Sequence, residues 1–528
     1  MIETSPILSW LIFLPTLGAL LVLLLPAGSV AWIRRVALGF TAGTFVLSLV
    51  AAGMFNWTAG GAEYGKNVQL ATNILWMSSL NVHYFVGVDG LSLPLVLLTT
   101  GISLLACLAS FSIEKNIKGY FALFLFLVTG MLGVFTSLDL MLFYIFFEVS
   151  LFPMYFLIGI WGGPRKEYAA IKFFLYTLLG SVGILIVILG IYHYTSLDGR
   201  PPCFDLIKLA SPEINGMFTN PSNLLMGVPF AGLAFWLLFV GFAVKVPSVP
   251  FHTWLPDAHV EAPTPISMIL AAVLLKMGGY GFMRISYPLF PKQAAQYWWF
   301  VALIGVVSIL YGAFCAMAQK DFKKMVAYSS VSHMGYVLLG LAVMTPAGFN
   351  GAMFQMIAHG ISSGMMFFIV GVVYERAHHR DINRLGGLWV QMPTYTGWAA
   401  IGFFASLGLP GLCGFIGELL VLMGVFSAAT PGSTIMAAGA TQHQIMVFGV
   451  LAASAVVFTA AYLLWTFQRV YMGKNKPEYS HFTQASGREK LILVCFGLAA
   501  VAWGILPNQL LLNPIKPTID GMLKLLGV

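Results

Sequence analysis

The sequence predicts an all-α, polytopic membrane protein of about fourteen transmembrane helices, with two inverted five-helix repeats and broken helices seven and twelve. Three observations lead there. Charged residues make up 9% of the 528 and apolar types 59%, where soluble domains carry roughly 25% charged residues, so most of this chain has to be solvated by lipid. Hydrophobic runs of twenty or more residues recur from end to end, each long enough to cross a hydrocarbon layer of about 30 Å as a helix. Two of those runs are interrupted by proline and glycine.

The spans begin near residues 5, 32, 88, 118, 138, 168, 229, 264, 297, 325, 349, 394, 445 and 488. The first run, Pro6 to Pro26, lacks a basic leader and a small-residue cleavage site, and is read as a retained helix. If the N-terminus lies outside, the inward loops hold eighteen Lys and Arg residues, from Arg34 and Arg35 to Arg488 and Lys490. The outward loops then hold five: Lys66, Arg200, Lys208, Arg284 and Lys292. This bias places both termini outside and the basic loops in the cytoplasm or matrix, and fits a bacterial inner (plasma) membrane best. The net charge of +8 reflects those loops, and nucleic acid is not an expected partner. Three longer connections, 56–87, 198–228 and 429–444, fall on the outer face and are read as structured loops.

The interruptions are Ala243 to Pro250, containing Pro247 and Pro250, and Gly408 to Gly414, containing Pro410 and Gly411. Proline removes a helix hydrogen bond and glycine loosens the turn, so each break frees backbone groups that lipid cannot satisfy. An offset of five spans puts the two units in opposite orientation, the inverted-repeat pattern of transporters. The expected division is 1–117 for helices one to three, 118–290 for the first repeat, 297–473 for the second, and 474–528 for helix fourteen and a tail.

Cys107, Cys203, Cys315, Cys413 and Cys495 are scattered singly, which offers neither a disulfide framework nor a ladder of thiolates for an iron–sulfur cluster. The sequence has no HExxH, no Walker loop and no Rossmann glycine pattern. No metal site and no cofactor are expected in this chain.

What remains is a small set of charges inside the membrane. Glu148 lies about ten residues into its span, roughly 15 Å deep, and an isolated carboxylate there takes up a proton or finds a cation. Lys245, just before the first break, is its natural partner. Lys276 lies about twelve residues into span eight, with no acid beside it in sequence. His333, His359 and Glu418 sit in the second unit, and imidazoles relay protons through either ring nitrogen. Intramembrane ionisable groups are functional by default, while a buried structural pair, a helix-bridging imidazole and a carboxylate that satisfies freed amides are the competing uses. Asp139 is read as a helix cap. His252, Asp257, His259 and Glu261 cluster after the first break, where an outer-face proton exit and hydrogen bonding of irregular backbone are both open; the histidine spacing offers no third metal ligand.

The stretch from Val246 to His259, VPSVPFHTWLPDAH, and the stretch from Gln319 to Gly335, QKDFKKMVAYSSVSHMG, resemble the antiporter-like family of respiratory complex I, and the resemblance runs over nearly the whole chain. It implies fourteen helices, two inverted five-helix units and broken helices seven and twelve. It also implies proton transport while partner subunits, which hold flavin and iron–sulfur clusters, oxidise NADH and reduce quinone. The implied partners are other complex I membrane subunits, including neighbouring antiporter-like ones, together with the lipid bilayer and protons. By this resemblance Glu148 and Lys245 match the family's charge pair, Lys276 and His333 its central relay, His359 a further relay position and Glu418 the terminal carrier. Most members carry lysine at the second break and one carries glutamate, as here; the member with a long lateral helix extends further than this sequence. A subunit of a multi-subunit sodium/proton antiporter is the alternative, and a solute carrier would need a polar substrate cavity that the sequence does not signal.

Overall fold

The computed structural model describes residues 5–57, 63–474 and 476–528. In chain order the helices are α1 (Ile7–Leu24), α2 (Val30–Met54), α3 (Ser92–Ala109), α4 (Ile117–Thr136), α5 (Leu140–Val149), α6 (Leu151–Trp161), α7 (Lys166–Thr195), α8 (Leu206–Leu209), α9 (Pro212–Thr219), α10 (Phe230–Lys245), α11 (Trp254–Glu261) and α12 (Thr264–Ile269). A π-helical turn, Leu270–Leu274, joins α12 to α13 (Leu275–Gly281), and a second, Phe282–Ser286, leads to α14 (Tyr287–Leu289). Then follow α15 (Pro291–Gln296), α16 (Trp298–Met317), α17 (Phe322–Ala342), α18 (Pro346–Ala377), α19 (Leu388–Gln391), α20 (Pro393–Leu407), α21 (Cys413–Ala428), α22 (Thr434–Ala437), α23 (Gln442–Tyr471), α24 (Gly487–Ile505) and α25 (Asn513–Leu525).

Eleven helical segments among the described residues are long and apolar enough to cross a bilayer, or twelve if α24 and the segment after it, bent by 88°, form one span. The expected fourteen is therefore not the number that length and apolarity deliver. The difference lies at the breaks: α10 and α21 have 16 residues each, about 24 Å of helix, short of a 30 Å core.

Local chemistry starts these helices where the sequence suggests. Asp139 accepts from the amides of Met141 and Leu142 at 2.9 and 3.0 Å, confirming it as the cap of α5. Asp321 caps α17 by accepting from Lys324, and Thr441 and Ser486 form capping boxes on α23 and α24. Small residues then let helices approach: a Cβ on Gly312 of α16 would fall 2.6 Å from the Ser332 amide of α17, the close contact on which helix association in lipid depends. The run 264–289 and α18 are buried along their apolar lengths, whereas α2, α7 and α23 turn much of theirs outward.

Two features depart from an all-helical reading in detail. Within the connection read as 56–87, of which 58–62 lie outside the described residues, β1 (Gln69–Met77) and β2 (Val82–Val88) pair antiparallel with Thr72 opposite Val86; β3 (Leu224–Leu225) and β4 (Val228–Pro229) form a second small hairpin. The tail is the helix α25, held beneath α3 by a hydrogen bond from the Gly90 amide to Thr518 at 3.1 Å. The Ser5 amide donates to the Ala71 carbonyl, so the start of the described chain and α25 lie on the hairpin's face.

Arg284 corrects the loop charge count. It is 1% exposed and bonds both oxygens of buried Asp89 at 2.6 and 2.7 Å, while its Nε donates to Tyr280. The span carries it inward because a full-length helix from Thr264 still has residues within the hydrocarbon at position 284. Removing one partner strands the other, so Asp89→Ala is expected to cost about 3–5 kcal/mol, read as a lower thermal-aggregation temperature of the detergent-solubilised protein. Asp89→Ala combined with Arg284→Met should regain a good part of that loss.

Candidate functional site: a buried row of proton-accepting side chains

Each break places a charged residue at a helix end. Lys245 is the last residue of α10, where carbonyls gather negative potential, and Glu418 lies in the early turns of α21, toward its positive end. The freed backbone of the first break is satisfied locally: Trp254 Nε1 donates to the Val244 carbonyl at 2.9 Å, and the Val249 amide donates to Ser308 Oγ at 2.9 Å. At the second break Leu409 donates to the Phe404 carbonyl at 3.0 Å. There Gly408 turns left-handed at φ 79° and leaves room for Glu418, whose Oε2 would stand 3.2 Å from a Cβ at that position.

The π turn before α13 presents Lys276. With the ladder locally widened, the Ala271 carbonyl accepts from Lys276 Nζ at 2.6 Å, five residues on. The same Nζ lies 2.7 Å from His359 Nδ1 on α18. A Lys276 N–H can donate to an Nδ1 lone pair, and a neutral Lys276 can instead accept from Nδ1–H, so the contact suits a proton passing between the two. The His359 ring centre is 5.8 Å from that of His333 on α17, and His333 Nδ1 lies 2.9 Å from Glu418 Oε1. All four residues are no more than 5% exposed. The Nε2 atoms of both histidines are buried without a hydrogen-bond partner among the described residues. A cavity of about 10 Å³ is lined by both rings and by Ser329, Ser330, Ser362, Ser363 and Ser406, room for about one water molecule among hydroxyls that hydrogen-bond it.

Four of the six residues singled out in the sequence thus stand in one row, in the order Lys276, His359, His333, Glu418. The sequence reading had put His359 beside the main line; it stands in the middle. Lys245 packs against the same helix, its Cβ 3.0 Å from the position a Cβ on Gly278 would take.

Glu148 and Lys245 do not form an ion pair in contact among the described residues. Lys245 is 2% exposed, and its Nζ lies over the Phe147 ring at 4.7 Å with no hydrogen-bond acceptor among the described residues. Phe147 occupies the face of α5 that meets Lys245, so Glu148, turned by about 100°, is partly exposed on another. Its carboxylate acts on Lys245 through the field alone.

The cluster after the first break faces the basic loops, so the outer-exit reading of His252, Asp257, His259 and Glu261 is overturned. Glu261 accepts from the Arg165 amide at 3.0 Å and Lys172 donates to Asp257 at 2.7 Å, because α10 and α11 together carry the chain to that face. His259 is fully buried, stacked on Phe367 at 4.2 Å, and neither ring nitrogen has a hydrogen-bond partner among the described residues. Sequence reasoning missed Lys323, which it counted among the loop lysines. Lys323 is 4% exposed and donates to the Ala262 carbonyl at 2.5 Å; the available signal was Asp321, whose capping role puts Lys323 inside a helix. A cavity of about 190 Å³ lies here, lined by Gly163, Glu261, Lys323 and Arg380 among others. Among the described residues no group of three or more His, Cys, Asp or Glu is arranged to hold a metal.

A many-helix membrane protein with a buried lysine–histidine–glutamate row and two broken helices is the class that this fold and site define. Residues 137–445 match the family described as NADH:quinone oxidoreductase/Mrp antiporter, transmembrane, and residues 67–138 the amino terminus of NADH-ubiquinone oxidoreductase chain 4. The chain belongs to this family. It is 40% identical to NADH-quinone oxidoreductase subunit M of Rhodobacter capsulatus, over 97% of this chain and 95% of that protein. A chain in the structure of respiratory complex I from Thermus thermophilus superposes with a TM-score of 0.83 at 30% identity, covering 99% of this chain and all of that one. A chain of the Mrp complex from a Dietzia species superposes at 0.80 with 18% identity, a likeness of fold.

Proposed function

We propose that this chain is a proton-translocating membrane subunit of an NADH:quinone oxidoreductase, and that Lys276, His359, His333 and Glu418 carry the proton. The observation that supports this most is the unbroken burial of the row. Lys276 Nζ gives its proton to His359 Nδ1; His359 gives its Nε2 proton, through a hydroxyl or water in the serine-lined cavity, to His333 Nε2; His333 then protonates Glu418. The net transfer is one proton from Lys276 to Glu418, while each histidine keeps its proton count and ends as the other tautomer, so the row returns to its start when Glu418 discharges, Lys276 is reloaded and both imidazoles regain their first tautomer by exchange with the cavity hydroxyls or by rotation. Lys245, under the field of Glu148, sets whether Lys276 releases or keeps its proton. Lys323 and His259 lead from the basic-loop cavity toward Lys276.

NADH oxidation and quinone reduction belong to partner subunits on this reading, with flavin and iron–sulfur clusters held there and none here. The test is purification of the tagged, full-length chain in mild detergent: flavin and iron–sulfur absorbance should co-purify in fixed ratio, and a chain isolated with membrane proteins alone would refute the assignment. The capping aspartates support two inverted units, 118–290 and 297–473: Asp139 bridges to Asp205 and Asp321 to Asp381, each cap starting the second helix of its unit.

The chain sits in a bacterial inner membrane with its ends and hairpin outside. Cysteines placed at the exposed positions Lys66 and Ala438 should react from outside with an impermeant thiol reagent, and one at exposed Lys474 should not, in a background with Cys203 changed to serine. Reversed labelling would invert the topology.

A further inference from the structure

Away from the proton row, α3 packs against both α2 and α24, and between them runs an apolar cleft of about 450 Å³, within the range of small-ligand pockets. Leu49 and Leu105 form its walls with Phe496, over a floor of Ile357 and Ile361. At the basic-loop end of the same helices, Arg34 near the start of α2 and Arg488 at the start of α24 converge on one ring. Their guanidinium carbons stand 5.9 and 6.0 Å from the centre of Phe111. Arg34 spends one amine on the Ile113 carbonyl at 3.0 Å, while its Nε is buried with no hydrogen-bond partner among the described residues. Glu489, beside Arg488, is committed to Arg376 at 2.9 Å, and Glu375 lies near Arg488 without bonding it. Among the described residues neither Arg34 nor Arg488 has a carboxylate within 4.0 Å.

Two guanidinium groups within 6.0 Å of one ring centre, neither of them paired with a carboxylate among the described residues, make a positive site at the basic-loop end that an anion would neutralise. Seven residues separate Arg488 from Cys495 at the cleft's edge, about 10 Å of helix, well within the reach of an acyl chain. Charge and shape therefore select one occupant: we propose that α2, α3 and α24 bind an anionic phospholipid, its phosphate between Arg34 and Arg488 and an acyl chain in the cleft.

The intact complex containing the full chain is incubated with phosphatidylglycerol carrying a diazirine in its acyl chain, or with the matching phosphatidylcholine, irradiated and digested. The glycerol lipid should label the peptides around 97–105 and 495–503 at least about fivefold more than the choline lipid. Arg488→Gln, checked for assembly on a native gel, should bring the two lipids to within about twofold of each other, and adding Arg34→Gln should abolish the preference. Equal labelling by both lipids, an unchanged preference in Arg488→Gln, or no label on these peptides because a neighbouring subunit's helix fills the cleft would each overturn the proposal.

Discussion

Lys276→Met is expected to lower proton translocation by at least about tenfold, the lower range of what one positioned acid–base group contributes, with the complex still assembled. The substitution keeps the length and apolar stem of a residue that is fully buried but removes the amine that stands 2.7 Å from His359 Nδ1. Volume is retained, so the stability cost is small next to that of deleting a buried side chain. Lys276→Arg sharpens the test. Arginine holds its charge under all ordinary conditions and cannot release a proton in the membrane, so a relay fails with Arg as it does with Met, whereas a purely structural cation is rescued. The measurement is acidification by inverted vesicles per NADH consumed, in membranes whose assembly is verified on a native gel. Wild-type pumping by Lys276→Arg would remove Lys276 from the path.

Glu148→Gln carries the second large effect, a fall of roughly tenfold in pumping together with a strong fall in quinone reductase activity. Here no contact is lost, since Phe147 and not Glu148 faces Lys245. What disappears is a field acting on a cation that is 2% exposed, and such fields are strong where water is absent. Glutamine preserves the shape, so the partly exposed helix face still packs. Without the carboxylate, Lys245 favours its neutral form and no longer cycles. Lys245→Ala should produce a similar defect, and the two together should cost little more than either alone, because residues that act as one unit are not additive. Glu148→Asp should keep part of the activity. Glu148→Gln membranes that pump protons at the wild-type ratio to NADH consumed would end the coupling role.

The sequence by itself determined the membrane, the helical class, the places of the two breaks and the residue types available for proton transfer. These are local properties: hydropathy over twenty residues, a proline that cannot donate, an aspartate before a helical run, a charge far from either end of a span. The tertiary structure alone decided which of those groups meet. His359 stands between Lys276 and His333 because α18 packs against α17 and against the π-helical turn that precedes α13, and no spacing along the chain encodes that packing. Glu148 and Lys245 looked like partners by depth, yet a single residue turns a helix by about 100°, enough to give Phe147 the face that meets Lys245 and Glu148 another. Arg284 and Lys323, counted as loop charges, are buried because depth in a bundle is set by where neighbouring helices lie. A lysine is read as solvated or intramembrane only once the surrounding helices show whether any water reaches it.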